Sequence, residues 1–138
     1  MTLKEIIDRV RSYTRDTTGS LFTQDDIVSF VNEGIDRIRR YKYFKNMTHL
    51  TSLSDEPKYL PSEYHHLLAI YGASRCFTQD EQNYLAEQFM NEYEYKTSEM
   101  EQFINDGELI IEGIDENSNK PFDAVKDVYF TKFTLGGE

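Results

Sequence analysis

The chain has 138 residues and a formal net charge of −10, with 15 Lys+Arg against 25 Asp+Glu. That length makes one domain with a real core, and an aromatic content of 14% argues against a disordered chain. The single cysteine, Cys76, excludes an internal disulfide framework, and no apolar run reaches the roughly 18 residues that a membrane span needs.

Residues 1–9 alternate charged with apolar side chains, unlike a secretion signal. A cytosolic origin is therefore expected, and Asn46-Met47-Thr48 is not read as a glycosylation site. The first helix is expected over 3–14. Thr2 caps it and Glu5 completes a capping box, while Leu3, Ile6, Ile7 and Val10 form one apolar stripe. The segment 16–20, with Gly19, breaks it. Thr23 caps a second helix with Asp25 and Asp26 in its first turn and Ile27, Val28, Val31, Ile35 and Ile38 as its stripe. Arg37, Arg39, Arg40 and Lys42 are placed in its last turns, where the helix dipole favours cations.

Residues 46–59 read as a long connection with an extended piece at 48–53. Leu60-Pro61-Ser62-Glu63 opens a third helix that is apolar on nearly all sides from Tyr64 to Phe77, the pattern of a central helix. Gly72 and Ala73 let a neighbour approach closely. A break at 78–82 leads to a fourth helix over about 83–104, with Leu85, Phe89, Tyr93, Met100 and Ile104 inward and Gly107 as its stop. Beyond it come an apolar run at 109–111, a turn-rich loop at 115–121 and an alternating, strand-like stretch from Val125 to Leu135. The expected fold is mainly α: a small bundle of about four helices around a central apolar helix, with an extended or β C-terminal arm. Residues 1–107 form the helical core and 108–138 the arm. Such an arm needs the helices or another molecule's sheet to pair with.

Charge is distributed unevenly. Residues 1–46 hold nine basic and seven acidic groups, whereas 78–116 hold twelve acidic groups and one cation, Lys96. The acidic stretch repels phosphate and reads as a solvated helix face or a docking face.

Searching for chemistry gives refusals. His49, His65 and His66 offer no set of converging ligands, since adjacent residues on a helix point about 100° apart. Asp115, Asn117 and Asn119 imitate a calcium loop, but Lys120 and Lys126 stand where Gly and Glu belong. Gly19, Gly34 and Gly72 form no phosphate-binding loop. Cys76 lies in an apolar helix and reads as a small core residue. No metal, no cofactor and no enzymatic activity is expected.

The cluster Arg37, Arg39, Arg40, Lys42 and Lys45, interleaved with Tyr41, Tyr43 and Phe44, admits three readings. It is a helix end with dipole-favoured cations, a nucleic-acid patch, or a docking surface for an acidic patch such as the 78–116 stretch of a neighbouring copy. In the last case the contact is head-to-tail and closes into a ring if its rotation allows.

Three segments resemble the head-to-tail connector proteins of tailed bacteriophages, the adaptor or head-completion proteins beneath the portal. They are TQDDIVSFVNEGIDRIRRY (23–41) with Val31-Asn32 at its centre, YLPSEYHHLLAIYGASRCFTQD (59–80), and the acidic-faced helix 83–104 before an extended tail. The resemblance implies a structural virion subunit at the head–tail junction, made in the bacterial host cytoplasm. It implies a ring, of twelve subunits in the virion, that extends the DNA channel and docks tail or stopper proteins. DNA slides through such a channel without specific binding, and no membrane is involved. Arg37, Arg39, Arg40 and Lys42 are then the candidates for inter-subunit or partner ion pairs. Val128, Phe130 and Phe133 are the candidate anchors of a portal-docking arm, or else pack on their own helices. The competing reading is a small acidic helical regulatory protein, an antitoxin or DNA mimic that neutralises a basic partner.

Overall fold

A computed structural model describes residues 1–109. Four helices follow in order: α1 (Leu3–Thr14), α2 (Gln24–Ile38), α3 (His66–Gln79) and α4 (Asn83–Asn105). Helix α3 packs on all three others and forms the centre of the bundle. Its buried positions run almost without interruption from Leu67 to Phe77, which is why its sequence shows no polar face. The expectation of a mainly helical bundle around a central apolar helix holds for the described residues. The arm expected over 108–138 lies almost entirely outside them, so its strand-like stretch and Val128, Phe130 and Phe133 do too.

The N-terminal half follows its local signals. Thr2 Oγ1 accepts the Glu5 N–H at 3.2 Å while the Glu5 carboxylate accepts the Thr2 N–H at 2.8 Å, the expected capping box. Leu3, Ile6, Ile7 and Val10 are buried as one stripe. Thr23 Oγ1 accepts the Asp26 N–H at 3.1 Å, and Ile27, Val31, Ile35 and Ile38 are buried. At Gly72 a side chain would meet Val10 Cγ2 at 3.0 Å and Val31 Cγ2 at 3.5 Å, so the absent Cβ lets α1 and α2 close on α3.

Helices α1, α3 and α4 end in the same way. A residue just past the last turn is left-handed, and the N–H that follows it reaches back to an orphan carbonyl: Asp16 to Arg11, Gln82 to Phe77, Glu108 to Phe103. Gly107 (φ 79) makes this turn freely, but Arg15 (φ 60) and Glu81 (φ 62) make it without being glycine.

Three expectations shift. Helix α2 stops at Ile38 instead of running through Lys42: Arg39 caps it, Tyr41 is extended, and a 3-10 turn follows over Lys42–Phe44. The cause is the burial of Tyr43 and Phe44, which the chain must turn inward to reach. Helix α3 begins only at His66, after a 3-10 turn over Ser62–Tyr64. The 48–53 piece forms no strand; its backbone pairs with a side chain instead, as Asn32 Nδ2 donates to the Leu50 carbonyl at 3.0 Å and Asn32 Oδ1 accepts the Leu50 N–H at 2.8 Å.

In α4 the inward residues are Ala86, Tyr93, Thr97, Met100 and Ile104, with Leu85 and Phe89 only half-buried. Thr97 takes a core position because its hydroxyl donates to the Tyr93 carbonyl at 2.6 Å and so hides its polarity. Cys76 is fully buried, and burial pushes its thiol up to about 12, the state of an inert core residue.

His65 is buried against α3's start. Its Nε2–H donates to the Leu60 carbonyl at 2.8 Å, and Nδ1 faces the Met1 amine at 2.7 Å. Burial is the main cause that lowers its pKa below the ordinary 6.5; the Met1 amine and His66 add to this, while the Leu60 bond and Glu56 act the other way. The folded state therefore binds this proton less readily than the unfolded chain. Stability is full above about pH 6.5 and falls as the pH drops below it. Thermal unfolding from about pH 7.5 to about pH 5.5 is expected to show a falling midpoint, with a shallower fall in H65Q. An equal fall in H65Q contradicts the assignment.

Candidate interaction surface

The basic cluster sits where α2 ends beside the C-terminal half of α4. Each cation has a different fate. Arg37 belongs to the fold: its guanidinium lies 5.6 Å from the Tyr71 ring centre and 5.9 Å from that of Tyr93, and it pairs with Glu94 at 3.7 Å. It pins the end of α2 to α3 and α4 by stacking on two aromatic faces. Tyr71 and Tyr93 lie 5.1 Å apart, and the Tyr93 hydroxyl reaches the Gly34 carbonyl at 3.4 Å.

The other four cations project outward. Arg39 pairs with Asp36 at 3.7 Å, and Asp36 also holds His49 at 2.8 Å. Lys42 lies 5.1 Å from the centre of the Tyr43 ring. Among the described residues Arg40, Lys42 and Lys45 make no ion pair, and all three are exposed. Arg40 stands between two surface depressions. One, about 490 Å³, is lined by Arg37, Tyr41, Tyr93, Glu94, Thr97 and Ser98; the other, shallower, lies between Asp36, Arg39 and Lys45.

The interleaved aromatics are not a stacking platform. Tyr43 and Phe44 are buried, and only Tyr41 is partly open. The Tyr43 hydroxyl donates to Asn105, and burial together with Glu101 pushes this phenol up to about 12. Tyr41 is raised by burial and by the same carboxylate. Both phenols stay protonated, and that of Tyr43 serves as a donor. A surface whose aromatic faces point inward can pair with carboxylates or phosphates but offers little for bases to stack on, which weighs against the nucleic-acid reading.

Comparison with protein-family models, with curated proteins and with solved structures finds no match. The functional reading rests on the residues of this chain.

Opposite in sign to the basic turn is the outer face of α4. Glu87, Glu92 and Glu94 are exposed there, as are Asp80 and Glu81 in the preceding turn. Tyr84 is 71% and Tyr95 69% exposed, the two most open large hydrophobic side chains among the described residues. Neither tyrosine was singled out by the sequence pattern, because helical spacing only marks them as lying off the core stripe. Among the described residues no group of His, Cys, Asp and Glu is arranged to hold a metal ion, and no helix is long and apolar enough to cross a membrane.

Proposed function

We propose that this chain is a structural subunit of a tailed-phage head-to-tail connector. It assembles as a ring beneath the portal, extends the DNA channel and offers a docking surface to tail or stopper proteins. The observation that supports this most is the separation of charge on a small helical bundle: an exposed cationic turn after α2 and a carboxylate-and-tyrosine face on α4. The resemblance of 23–41 and 59–80 to connector proteins supports it from the sequence side. In this reading the work is assembly, not catalysis. The acidic helix keeps DNA phosphates from adhering during passage, and Val128, Phe130 and Phe133 anchor the chain on the portal.

Deleting residues 122–138 tests the arm's part in this. The truncated protein is expected to keep its helical circular dichroism and to lose co-sedimentation with portal rings. Equal binding by the truncated and full chains overturns the arm's role.

One observation favours a second reading. The carboxylates of α4 could present a basic partner with a DNA-like surface, as an inhibitor or antitoxin does. Such a protein binds its partner as a compact monomer or dimer and ignores portal rings.

A further inference from the structure

We infer that the basic turn of one copy docks on the N-terminal part of α4 in a second copy, at the exposed Tyr84, with Asp80 and Glu81 in the turn before the helix and Glu87 one helical turn on. This rests on the assembly reading above and names the two surfaces that meet.

The two patches cannot satisfy each other within one chain. The basic turn adjoins α4 at Glu94, Thr97 and Ser98. Tyr84 lies ten residues before Glu94, the nearest of these, about 15 Å along the helix axis. That span exceeds the distance over which exposed charges act at physiological salt, about 8 Å. Among the described residues three exposed cations without an ion pair, Arg40, Lys42 and Lys45, and three exposed carboxylates at the other site are therefore left for other molecules. Because the patches differ and do not overlap, copies joined this way stack head-to-tail, the geometry that generates rings.

The chain already contains a template for the contact. Arg37 lies over two tyrosine rings with a glutamate beside it. The outer face of α4 offers the same combination. Within α4, Tyr84 stands three residues before Glu87, and Tyr95 three from Glu92 and four from Glu99, so a carboxylate neighbours each ring on the helix surface. A guanidinium laid over Tyr84 meets an aromatic face and carboxylates at once, which Arg serves better than Lys. The Tyr84 hydroxyl accepts a hydrogen bond from the Gln88 amide at 2.7 Å, and the side chain is otherwise largely open to solvent. Single exposed ion pairs contribute little, so free copies associate weakly, and a portal ring that holds neighbours side by side raises their effective concentration.

Charge-swapped variants test this by sedimentation. One carries R39E, R40E and K42E, the other D80K, E81K and E87K; all six positions are exposed, and circular dichroism checks that each variant folds. The unaltered chain is expected to sediment faster as its concentration rises in about 0.1 M salt and to revert to monomer in about 1 M salt, where the screening length falls to about 3 Å. Each variant alone is expected to stay monomeric, and an equimolar mixture to regain association. An unaltered chain that stays monomeric throughout, a variant that associates unchanged, or a mixture that fails to recover overturns the inference. Portal binding separates this from the connector reading: association without portal binding sinks only that reading, and portal binding without association sinks only this one.

Discussion

Replacing Asp16 by alanine is expected to lower the unfolding free energy by about 3–5 kcal/mol, a large share of the roughly 5–15 kcal/mol that keeps a domain folded. Asp16 is buried in the link between α1 and α2, and the link is folded around its carboxylate. Oδ1 accepts the N–H groups of Ser20 and Leu21 at 2.9 and 3.1 Å; Oδ2 accepts that of Phe22 at 3.0 Å and the Arg11 guanidinium at 3.1 Å. Arg11 also donates to the Phe22 carbonyl at 3.0 Å, closing the ring of contacts. Alanine strands three backbone donors and a guanidinium whose side chain is only 17% exposed. Asparagine keeps the shape but turns an NH2 group toward donors, so D16N recovers only part of the loss. Burial alone raises this carboxyl, yet the three N–H bonds and Arg11 outweigh it and hold its pKa below the ordinary 3.8. Its contribution is therefore present above that pH and lost as the pH falls through the lower folded value, so D16A also flattens the acid limb of unfolding. Chemical denaturation at neutral pH reads the main effect. A D16A midpoint close to the unaltered one refutes this account of the link.

Asn32→Leu is the second large effect, about 2–3 kcal/mol, because it leaves both backbone groups of Leu50 without partners. More than one loop depends on this clasp. Just beyond Leu50, Asp55 accepts the N–H groups of Thr51 and Ser52 at 2.9 and 2.8 Å. The same turn satisfies the open end of α1, as Leu3 and Lys4 donate to the carbonyls of Asp55 and Leu53 at 2.8 and 3.0 Å. The substitution is thus expected to loosen the 46–59 connection first and the start of α1 with it. Amide hydrogen exchange checks the order: Leu50, Leu3 and Lys4 accelerate before the α3 amides do. Asn32→Asp retains the acceptor and loses the donor, and falls between. Uniform acceleration across all helices contradicts a local clasp.

These two residues also show where reading the sequence stops. The capping box of α1, the Thr23 cap and Gly107 are local signals, and each placed the helix end it marks within a residue or so, whereas the start of α3 was expected several residues too early. The ends of α1 and α3 fall where the sequence placed them, although the left-handed residues that make them, Arg15 and Glu81, are not glycine. The end of α2 was misplaced because Arg39, Arg40, Tyr41 and Lys42 contain no breaker; the inward pull of Tyr43 and Phe44 is a tertiary effect. Asp16 reads as a turn former, but its pairing with Arg11 depends on how the link folds back. Asn32 and Leu50 lie eighteen residues apart, and nothing local couples them. At the surface, the cationic character of 37–45 was legible. The division between Arg37, used within the fold, and Arg40, Lys42 and Lys45, left facing outward, was not. Nor were Tyr84 and Tyr95 as the centres of an acidic face, because a tyrosine off the core stripe looks the same whether it lies flat or stands clear.

Mixing the full chain with purified rings of the portal protein from the same genome, and sedimenting them together, tests the assembly account most directly. Co-migration in a fixed ratio, with a ring of added density beneath the portal in electron micrographs, is the predicted result. A chain left wholly in the supernatant under conditions where the portal rings stay intact contradicts it.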